Sequence, residues 1–173
     1  MSEGTTPIDV SKHSFKNFYE ARKWAKESIV NTYKNDDTEE DIYISISSIG
    51  KYLSSKAVQK SINQDIHLSV LTKLPLLVKT SMLKEVNQDI KGKNLNIKEI
   101  QRFYGIVNYE GKIYSVKITV KATKREGNKA YSYEVLEIEN PALQQGYLSA
   151  GHSEASSNDV FPTAENLFSN LSE

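Results

Sequence analysis

The chain of 173 residues contains no cysteine, which excludes a disulfide framework, a thiolate zinc site and a cysteine nucleophile. No apolar run approaches the ~20 residues that a membrane-spanning helix needs, so no membrane partner is expected. Residues 1–7 are polar and lack the apolar core of a signal peptide. Together these absences predict a cytoplasmic protein.

Several motifs that carry chemistry are also missing. The three histidines, His13, His67 and His152, are far apart in sequence and do not show metal-ligand spacing. Residues 90–94 lack the glycine spacing and the strand–helix context of a phosphate-binding loop, and nothing resembles a nucleophile elbow. We therefore expect no metal and no other cofactor.

Basic residues are absent from one end of the chain, although the whole chain is electrically balanced. Lys+Arg and Asp+Glu both number 22. Residues 98–131 contain eight basic residues against three acidic ones, whereas residues 132–173 contain seven acidic residues and no Lys or Arg. This asymmetry bears on binding partners. The plain alternative is a solvated sheet face beside an acidic tail.

The length and the apolar pattern predict one domain with flexible ends. We interpret residues 1–13 as a flexible lead and residues 14–140 as a single α+β domain. Residues 141–173 are acidic and rich in Ser, Ala, Asn and Gly with little periodicity, which favours a disordered tail.

Helices are predicted mainly in the first half of that domain. The first begins at Ser14, whose hydroxyl suits an N-cap. Another begins near Asp65, and Pro75 must end or kink it because proline lacks the backbone N–H. Alternating isoleucines at residues 42–46 predict a short strand between these helices.

Three alternating segments follow, at residues 99–108, 112–122 and 130–139. Turn residues at 110–111 and 125–128 separate them. Strands connected in this way form an antiparallel meander. The predicted fold class is therefore α+β, with N-terminal helices packed on one face of a small antiparallel sheet that ends in this three-strand meander.

The middle segment has an apolar face and a basic face. Its apolar residues alternate with Lys117, Thr119 and Lys121, so strand geometry sends the two sets to opposite faces. A ladder of Lys-Thr-Lys on an open sheet face is a candidate cradle for phosphate. This ladder predicts where the functional site lies.

The flanking segments add polar residues of the same kind. Arg102 and Tyr104 share one face of the first strand, and Tyr131 and Tyr133 share a face of the third strand with Glu137. Metal-free cleavage of RNA needs a base for the 2′-hydroxyl, an acid for the leaving oxygen and cations near the developing charge. The residue types of this sheet can supply all three, but the sequence does not determine whether the faces coincide.

Each candidate also has a plain structural explanation. A Lys-Thr-Lys ladder is more often simply the solvated side of an antiparallel sheet. Arg102 is able to pair with Glu134 or Glu137 across strands. His67, near the start of a helix, fits a packed or surface histidine, and Lys51 near a helix end fits a partner of the helix dipole.

Several short motifs resemble a known family. They are IYISISSIGKYLS at residues 42–54, HLSVLTKL at 67–74, RFY at 102–104, YSVKITVK at 114–121 and YSYE at 131–134. Together they resemble the third type of large polyvalent protein-associated domain, found in very long multidomain proteins of phages and conjugative elements. Those domains are similar to the barnase/EndoU/colicin/RelE-like nucleases, a superfamily of metal-independent RNase toxins.

The resemblance implies helices followed by a curved antiparallel sheet whose open face holds the active site. By carry-over, the expected site residues are Lys51, Ser54, His67, Arg102, Lys117 and Lys121. Relatives often have a histidine close before the position of Phe103, where this chain has Gln101 and Arg102. The identity of the general base therefore stays open.

The leading hypothesis is a toxin-like, metal-independent ribonuclease domain of a phage or mobile-element polyvalent protein that cleaves RNA by transesterification. The catalytic candidates are His67, Lys51, Arg102, Lys117, Thr119 and Lys121, and the substrate-binding candidates are Ser54, Tyr104, Tyr131 and Tyr133. The expected partners are RNA and an immunity or antitoxin protein, and the protein acts in the cytoplasm or is delivered into a host cell by a phage or conjugative element.

Two other hypotheses remain. One is a non-catalytic accessory module that binds nucleic acid or a partner protein through the basic sheet. The other is an interaction domain without nucleic acid. Toxicity on expression separates the ribonuclease from both, and salt-dependent binding separates the two non-catalytic modules from each other.

Overall fold

A computed structural model describes residues 6–88, 97–124 and 127–138. These residues form five helices and seven strands, and the α+β class predicted from the sequence is confirmed. In chain order the elements are β1 (Ile8–Val10), α1 (Phe18–Ser28), β2 (Asn31–Lys34), β3 (Asp41–Ile44), α2 (Ile46–Tyr52), α3 (Ser55–Lys60), α4 (Gln64–Leu71), α5 (Leu74–Thr80), β4 (Met82–Gln88), β5 (Ile97–Tyr109), β6 (Lys112–Thr123) and β7 (Gly127–Glu137). The predicted tail, residues 141–173, lies outside the described residues.

Strands β5, β6 and β7 form the three-strand meander predicted from their alternation. Each pairs antiparallel with the next along almost its whole length. The β5–β6 connection is a two-residue loop in which Glu110 and Gly111 have φ of 53° and 82°. Two positive φ values suit the twist of a hairpin, and glycine adopts them without steric cost.

The sheet is larger than the sequence predicted, and it is mixed. The strand order is β1-β5-β6-β7-β3-β2, with β4 also paired to β5. The pairs β1–β5 and β3–β7 are parallel, and the others are antiparallel. The short strand β1 lies within the predicted flexible lead, where it pairs with β5 at Val107–Tyr109 and buries Val10. A strand of three residues is too short to be recognised in the sequence from the alternation of apolar and polar residues.

Capping side chains explain where the helices begin. Helix α1 starts after Asn17, whose side-chain oxygen accepts the N–H of Glu20, so the predicted N-cap at Ser14 is wrong by three residues. Helix α2 follows Ser45, which forms a reciprocal capping box with Ser48. Pro75 does not end α4, which already ends at Leu71. It lies in the first turn of the next helix, α5, where its missing N–H costs nothing.

Helices α4 and α5 cover the apolar face of the meander, as expected. Their buried leucines belong to one core with the apolar face of β6, formed by Val116, Ile118 and Val120. Burying each such side chain stabilises the fold by about 1.5–3 kcal/mol. The opposite face of the meander carries Lys117, Thr119 and Lys121, and nearer the β5–β6 turn it also carries the buried residues Ile106 and Ile113. Among the described helices, none has the length and apolar character to span a bilayer.

Gly105 permits the close contact between α5 and β5. A Cβ added at Gly105 would lie 2.7 Å from Leu77 Cδ2 and 3.6 Å from Ser81 Cβ. Because Leu77 is fully buried, its side chain can move only by displacing other core atoms. We expect Gly105→Ala to lower the free energy of unfolding by about 1–3 kcal/mol, as measured by urea denaturation.

Gly50→Ala is the matched control for this prediction. Gly50 lies within α2, and a Cβ added there would meet no atom within 4 Å. Alanine is the better helix former, so the free energy of unfolding should rise by about 0.5–1 kcal/mol. If both substitutions had the same effect, the α5–β5 contact would be looser than the structure shows.

Candidate functional site

Strand register places the predicted polar residues of the meander on one face. Arg102 of β5 is paired with Thr119 of β6, and Thr119 is paired with Ser132 of β7. Residues paired across adjacent strands project from the same side of the sheet. The polar faces of β5, β6 and β7, whose relation the sequence did not determine, therefore lie on the same side of the sheet. Arg102, Thr119 and Ser132 form one row across the three strands.

A second row on this face contains a lysine with its own counter-ion. It consists of Tyr104, Lys117 and Glu134. Lys117 Nζ lies 3.9 Å from Glu134 Oε1, and the two side chains are 24% and 16% exposed. Burial raises the pKa of Tyr104, and the negative charge of Glu85 raises it further. This row therefore offers an ion pair and a neutral phenol.

A β-bulge at Tyr131 brings a second phenol to the same face. Thr119 pairs with Ser132, but the next residue, Val120, pairs with Ala130. Tyr131 is thus an extra residue without a partner position on β6, and it breaks the strand's alternation. The Tyr131 ring lies beside Lys121, the residue that follows Val120 in β6.

Tyr133 lies in the core, so the prediction that it shares a face with Tyr131 is wrong. The bulge shifts the alternation of β7 by one residue between them. Tyr133 is fully buried, and its hydroxyl donates a 2.7 Å hydrogen bond to the carbonyl oxygen of His67. Its ring also stacks on the His67 ring, with centroids 4.2 Å apart.

His67 is a buried, neutral histidine. Its Nε2 lies 2.8 Å from the carbonyl oxygen of Tyr52, which can only accept, so Nε2 carries the proton. Its Nδ1 then accepts from the Ser61 hydroxyl at 2.7 Å, and Ser61 Oγ accepts the N–H of Val135. Burial lowers the pKa of His67 to about 4. These contacts are those of a packed core histidine, the structural alternative to a catalytic role for His67. The ring is closed off from the polar sheet face.

The neutral state of His67 should make the folded protein less stable in acid. Its pKa is about 4 in the folded protein against 6.5 ordinarily, so the unfolded chain binds more protons between these values. The stabilisation is complete above the ordinary pKa and is lost as the pH falls towards 4, by ~3 kcal/mol in total.

Urea unfolding of the wild type and His67→Gln over this pH range measures the effect. Glutamine keeps a donor for the Tyr52 carbonyl but does not titrate. The difference in free energy of unfolding between the two proteins should narrow as the pH falls. A difference that stays constant from neutral pH to pH ~4 would show that His67 is not held neutral.

A groove surrounds Tyr131 where α2 and α3 meet β7. Its volume is about 230 Å³. The polar residues that line it are Lys51, Ser54, Lys56, Lys60, Tyr131, Ser132 and Glu134. Lys56 and Lys60 are four residues apart on α3 and so lie on the same side of that helix. The helical wall of the groove is therefore cationic.

Two ammonium groups flank the ring of Tyr131. Lys51 Nζ lies 4.0 Å and Lys121 Nζ 3.7 Å from the ring centroid, within the range of a cation–π contact. The positive charge of Lys121, followed by that of Lys51, lowers the pKa of Tyr131 against the opposing effect of partial burial. Burial instead raises the pKa of four other phenols: Tyr33, Tyr52, Tyr104 and Tyr133. Tyr131 is the phenol best prepared to ionise among these five.

Ser54 lines the groove, but its hydroxyl is used within the helices. Ser54 Oγ accepts the N–H of Ala57 at 3.3 Å, as the N-cap of α3, and donates to the carbonyl oxygen of Lys51 at 3.0 Å. These bonds hold the α2–α3 junction and so position Lys51. The Ser54 hydroxyl therefore shapes the groove by holding the backbone of α2 and α3 in place.

Arg102 lies on the far strand of the meander. Its paired neighbours are Glu85 on β4 and Thr119 on β6. Because β6 separates β5 from β7, the alternative of a direct cross-strand pair with Glu134 or Glu137 does not hold. Arg102 belongs to the same polar face as the groove, at its opposite margin.

Two groove lysines, Lys56 and Lys60, were not among the site residues predicted from the sequence. Their spacing on one helix was a readable signal, but nothing local places α3 beside β7. That contact depends on residues distant in sequence, such as the hydrogen bond from the N–H of Ile62 to the carbonyl of Val135. Within the described ranges, no three His, Asp or Glu side chains are grouped as metal ligands.

Comparison with known proteins agrees with the resemblance found in the sequence. The model of the family described as large polyvalent protein-associated domain 3 matches residues 13–131. The matched region includes every element from α1 to β6 and ends at Tyr131, so it contains the lysines that flank this ring. Neither curated proteins nor solved structures gave a match. The match spans more than half of the chain, which therefore belongs to the family of large polyvalent protein-associated domain 3.

Proposed function

We propose that this domain is a metal-independent endoribonuclease whose reaction centre is Tyr131 between Lys51 and Lys121. The observation that carries the proposal is the pair of ammonium groups within 4.0 Å of one phenol ring. Positive charge there makes the phenol more acidic and also attracts phosphate. The family match supports a domain of a polyvalent protein, and the toxin-like role in a phage or other mobile element is part of the proposal.

Transesterification of RNA begins with removal of the proton from a 2′-hydroxyl. The Tyr131 phenolate takes this proton while the 2′-oxygen forms a bond to the adjacent phosphorus. The bond from phosphorus to the 5′-oxygen breaks, and the Lys51 ammonium gives a proton to that leaving oxygen. The products are a 2′,3′-cyclic phosphate and a 5′-hydroxyl, and solvent restores both protonation states.

The lysines also stabilise the charge that develops on the phosphorus oxygens. Lys121 lies on the sheet side of Tyr131, and Lys56 and Lys60 line the helical wall. Preorganised cations of this kind typically contribute the largest single part of a rate enhancement. Arg102 extends the polar face along which a bound strand continues, whereas Thr119, its neighbour in the same row, is buried.

This proposal differs from the sequence hypothesis in the proton-transfer residue. The general base is Tyr131 and not His67. The ring of His67 is buried, whereas the phenol of Tyr131 has a lowered pKa and lines a groove. Lys117 is paired with Glu134 and is left out of the reaction centre. An acidic immunity or antitoxin protein would inhibit the enzyme by covering the lysine groove. RNA as substrate places the activity in the cytoplasm of the producing cell or of a host cell.

A cleavage assay with the full chain tests the proposal. A labelled single-stranded RNA is incubated with the protein in the presence of a chelator, and the products are separated by their end groups. We expect fragments with 2′,3′-cyclic phosphate ends. Salt-sensitive RNA binding without any cleavage would contradict the enzymatic role and favour the accessory binding module.

A further inference from the structure

We propose that Tyr43 is the stacking platform for an unpaired nucleobase of the RNA bound in the lysine groove. The inference rests on the proposed function, because it identifies the substrate of that site as single-stranded RNA. It comes from a second groove, about 390 Å³ in volume, that is lined by Thr32, Asp41, Tyr43, Gly127 and Asn128.

Strand register places Tyr43 on the same face as the lysines. Tyr43 of β3 is paired with Lys129 of β7, and Lys129 is paired with Lys121 of β6. Neighbouring strands are about 4.8 Å apart, so the backbone at Tyr43 lies about 10 Å from the backbone at Lys121 across the sheet. Tyr131 is two residues along β7 from Lys129. The second groove is therefore within one or two nucleotides of the reaction centre.

The Tyr43 ring is open to solvent, although the residues on either side of it in β3 are buried. Its neighbours Ile42 and Ile44 are 1% and 0% exposed, whereas Tyr43 is 39% exposed. A large aromatic ring on a strand face is a platform on which bases of any sequence can stack. Bases in an RNA duplex are stacked within the helix, so only an unpaired base can cover this ring.

The chemistry of the second groove suits a base edge and not a phosphate. Its described lining has no Lys or Arg, but it has the carboxylate of Asp41 and the amide of Asn128. The Asn128 amide is oriented by a 2.9 Å hydrogen bond from its Nδ2 to Glu40 Oε1. Carboxylates and amides pair with the amino and ring-nitrogen positions of bases, whereas a carboxylate repels phosphate.

Lys129 and Lys121 connect the two grooves. They are directly opposite on adjacent strands, an arrangement of like charges that destabilises a sheet. A phosphate bound between them would neutralise this repulsion. The row from Tyr43 through Lys129 to Lys121 therefore matches one nucleotide, with its base on the aromatic ring and its phosphate on the lysines.

Binding of RNA to Tyr43→Ala tests the inference, with Tyr131→Phe as the background so that RNA stays intact. Fluorescence anisotropy compares a labelled single-stranded RNA with the same sequence as a duplex. We expect single-strand affinity to fall by roughly 5- to 150-fold, the usual effect of losing one stacked base. Affinity for the duplex and the salt dependence of binding should stay unchanged, because no cation is removed.

Matched variants distinguish stacking from a change in fold. Tyr43→Phe keeps the ring and should bind like the background protein. Tyr19→Ala, which removes a tyrosine that is 70% exposed on α1, should have no effect. Tyr43→Val keeps a good strand former, so it should show the same loss of affinity as Tyr43→Ala with an unchanged melting temperature.

Failure of this inference and failure of the proposed function give different results. Unchanged single-strand affinity in both Tyr43→Ala and Tyr43→Val, or an equal loss for the duplex, would overturn the base platform even if RNA is cleaved. Conversely, a selective loss of single-strand affinity on Tyr43→Ala, together with no RNA cleavage by the wild-type chain, would support the platform while contradicting the ribonuclease.

Discussion

Tyr131→Phe should reduce the rate of RNA cleavage by about 10²–10⁴-fold, the usual contribution of a positioned general base. Phenylalanine keeps the ring that contacts Lys51 and Lys121 but removes the oxygen that accepts the proton. RNA affinity and melting temperature should therefore change little. Single-turnover cleavage of a labelled oligonucleotide measures the rate, and Tyr19→Phe, which removes an exposed hydroxyl on α1, is the matched control.

The pH dependence of cleavage provides a second test of the Tyr131 role. The base must be deprotonated, so the rate should rise with pH until Tyr131 is ionised. Because Lys121 and Lys51 lower the pKa of Tyr131 below its ordinary value of 10.0, the rise should end below pH 10. Ultraviolet titration should show one early-ionising phenol that is missing in Tyr131→Phe. Full activity in that variant would exclude the phenol as the base.

Local alternation was enough to predict the meander, but not to predict which side chains meet. The segments that became β5, β6 and β7 are long and alternate regularly, and such patterns reflect burial on one face. Register depends on pairing between segments, and a shift of one residue exchanges the faces. For Arg102, Thr119 and Lys121 the alternation within each strand was sufficient, and only the structure could show that these faces coincide.

The two tyrosines of β7 show where alternation fails. Tyr131 and Tyr133 are two residues apart, so a regular strand would place them together. The bulge sends Tyr131 to the lysines and Tyr133 into the core beside His67. No residue type marks this bulge in the sequence, because it does not occur at a glycine. The same long-range packing buries His67, whose helix position alone indicated either the core or the surface.

The cationic wall of the groove was also beyond local prediction. Lys56 and Lys60 are on a six-residue helix that is too short to be recognised from periodicity. Its position is set by contacts with β7 about 75 residues further along the chain, including the N–H of Val135 bound to Ser61 Oγ. Groove residues contributed by such contacts can be found only from the folded structure.

Replacing Lys51 and Lys121 together with alanine should have the largest effect of any change that leaves Tyr131 in place. Removing one preorganised charge contact typically costs about 10²–10³-fold in rate, and this variant removes two. Both lysines are on the surface of the groove, so we expect the free energy of unfolding to change by no more than ~0.5 kcal/mol for each substitution. Single-turnover cleavage and urea denaturation measure the two quantities.

The same variant should also move the pH profile. The positive charges of Lys121 and Lys51 hold the pKa of Tyr131 down, while partial burial acts in the opposite direction. Without the lysines only the effect of burial remains, so the pKa should rise and the cleavage profile should shift to higher pH. A control that removes two exposed lysines of α1, Lys23→Ala with Lys26→Ala, lowers the net charge equally and should change neither rate nor profile. If both double variants lost activity to the same extent, net charge alone would explain the effect, and the Lys51–Tyr131–Lys121 arrangement would not be the reaction centre.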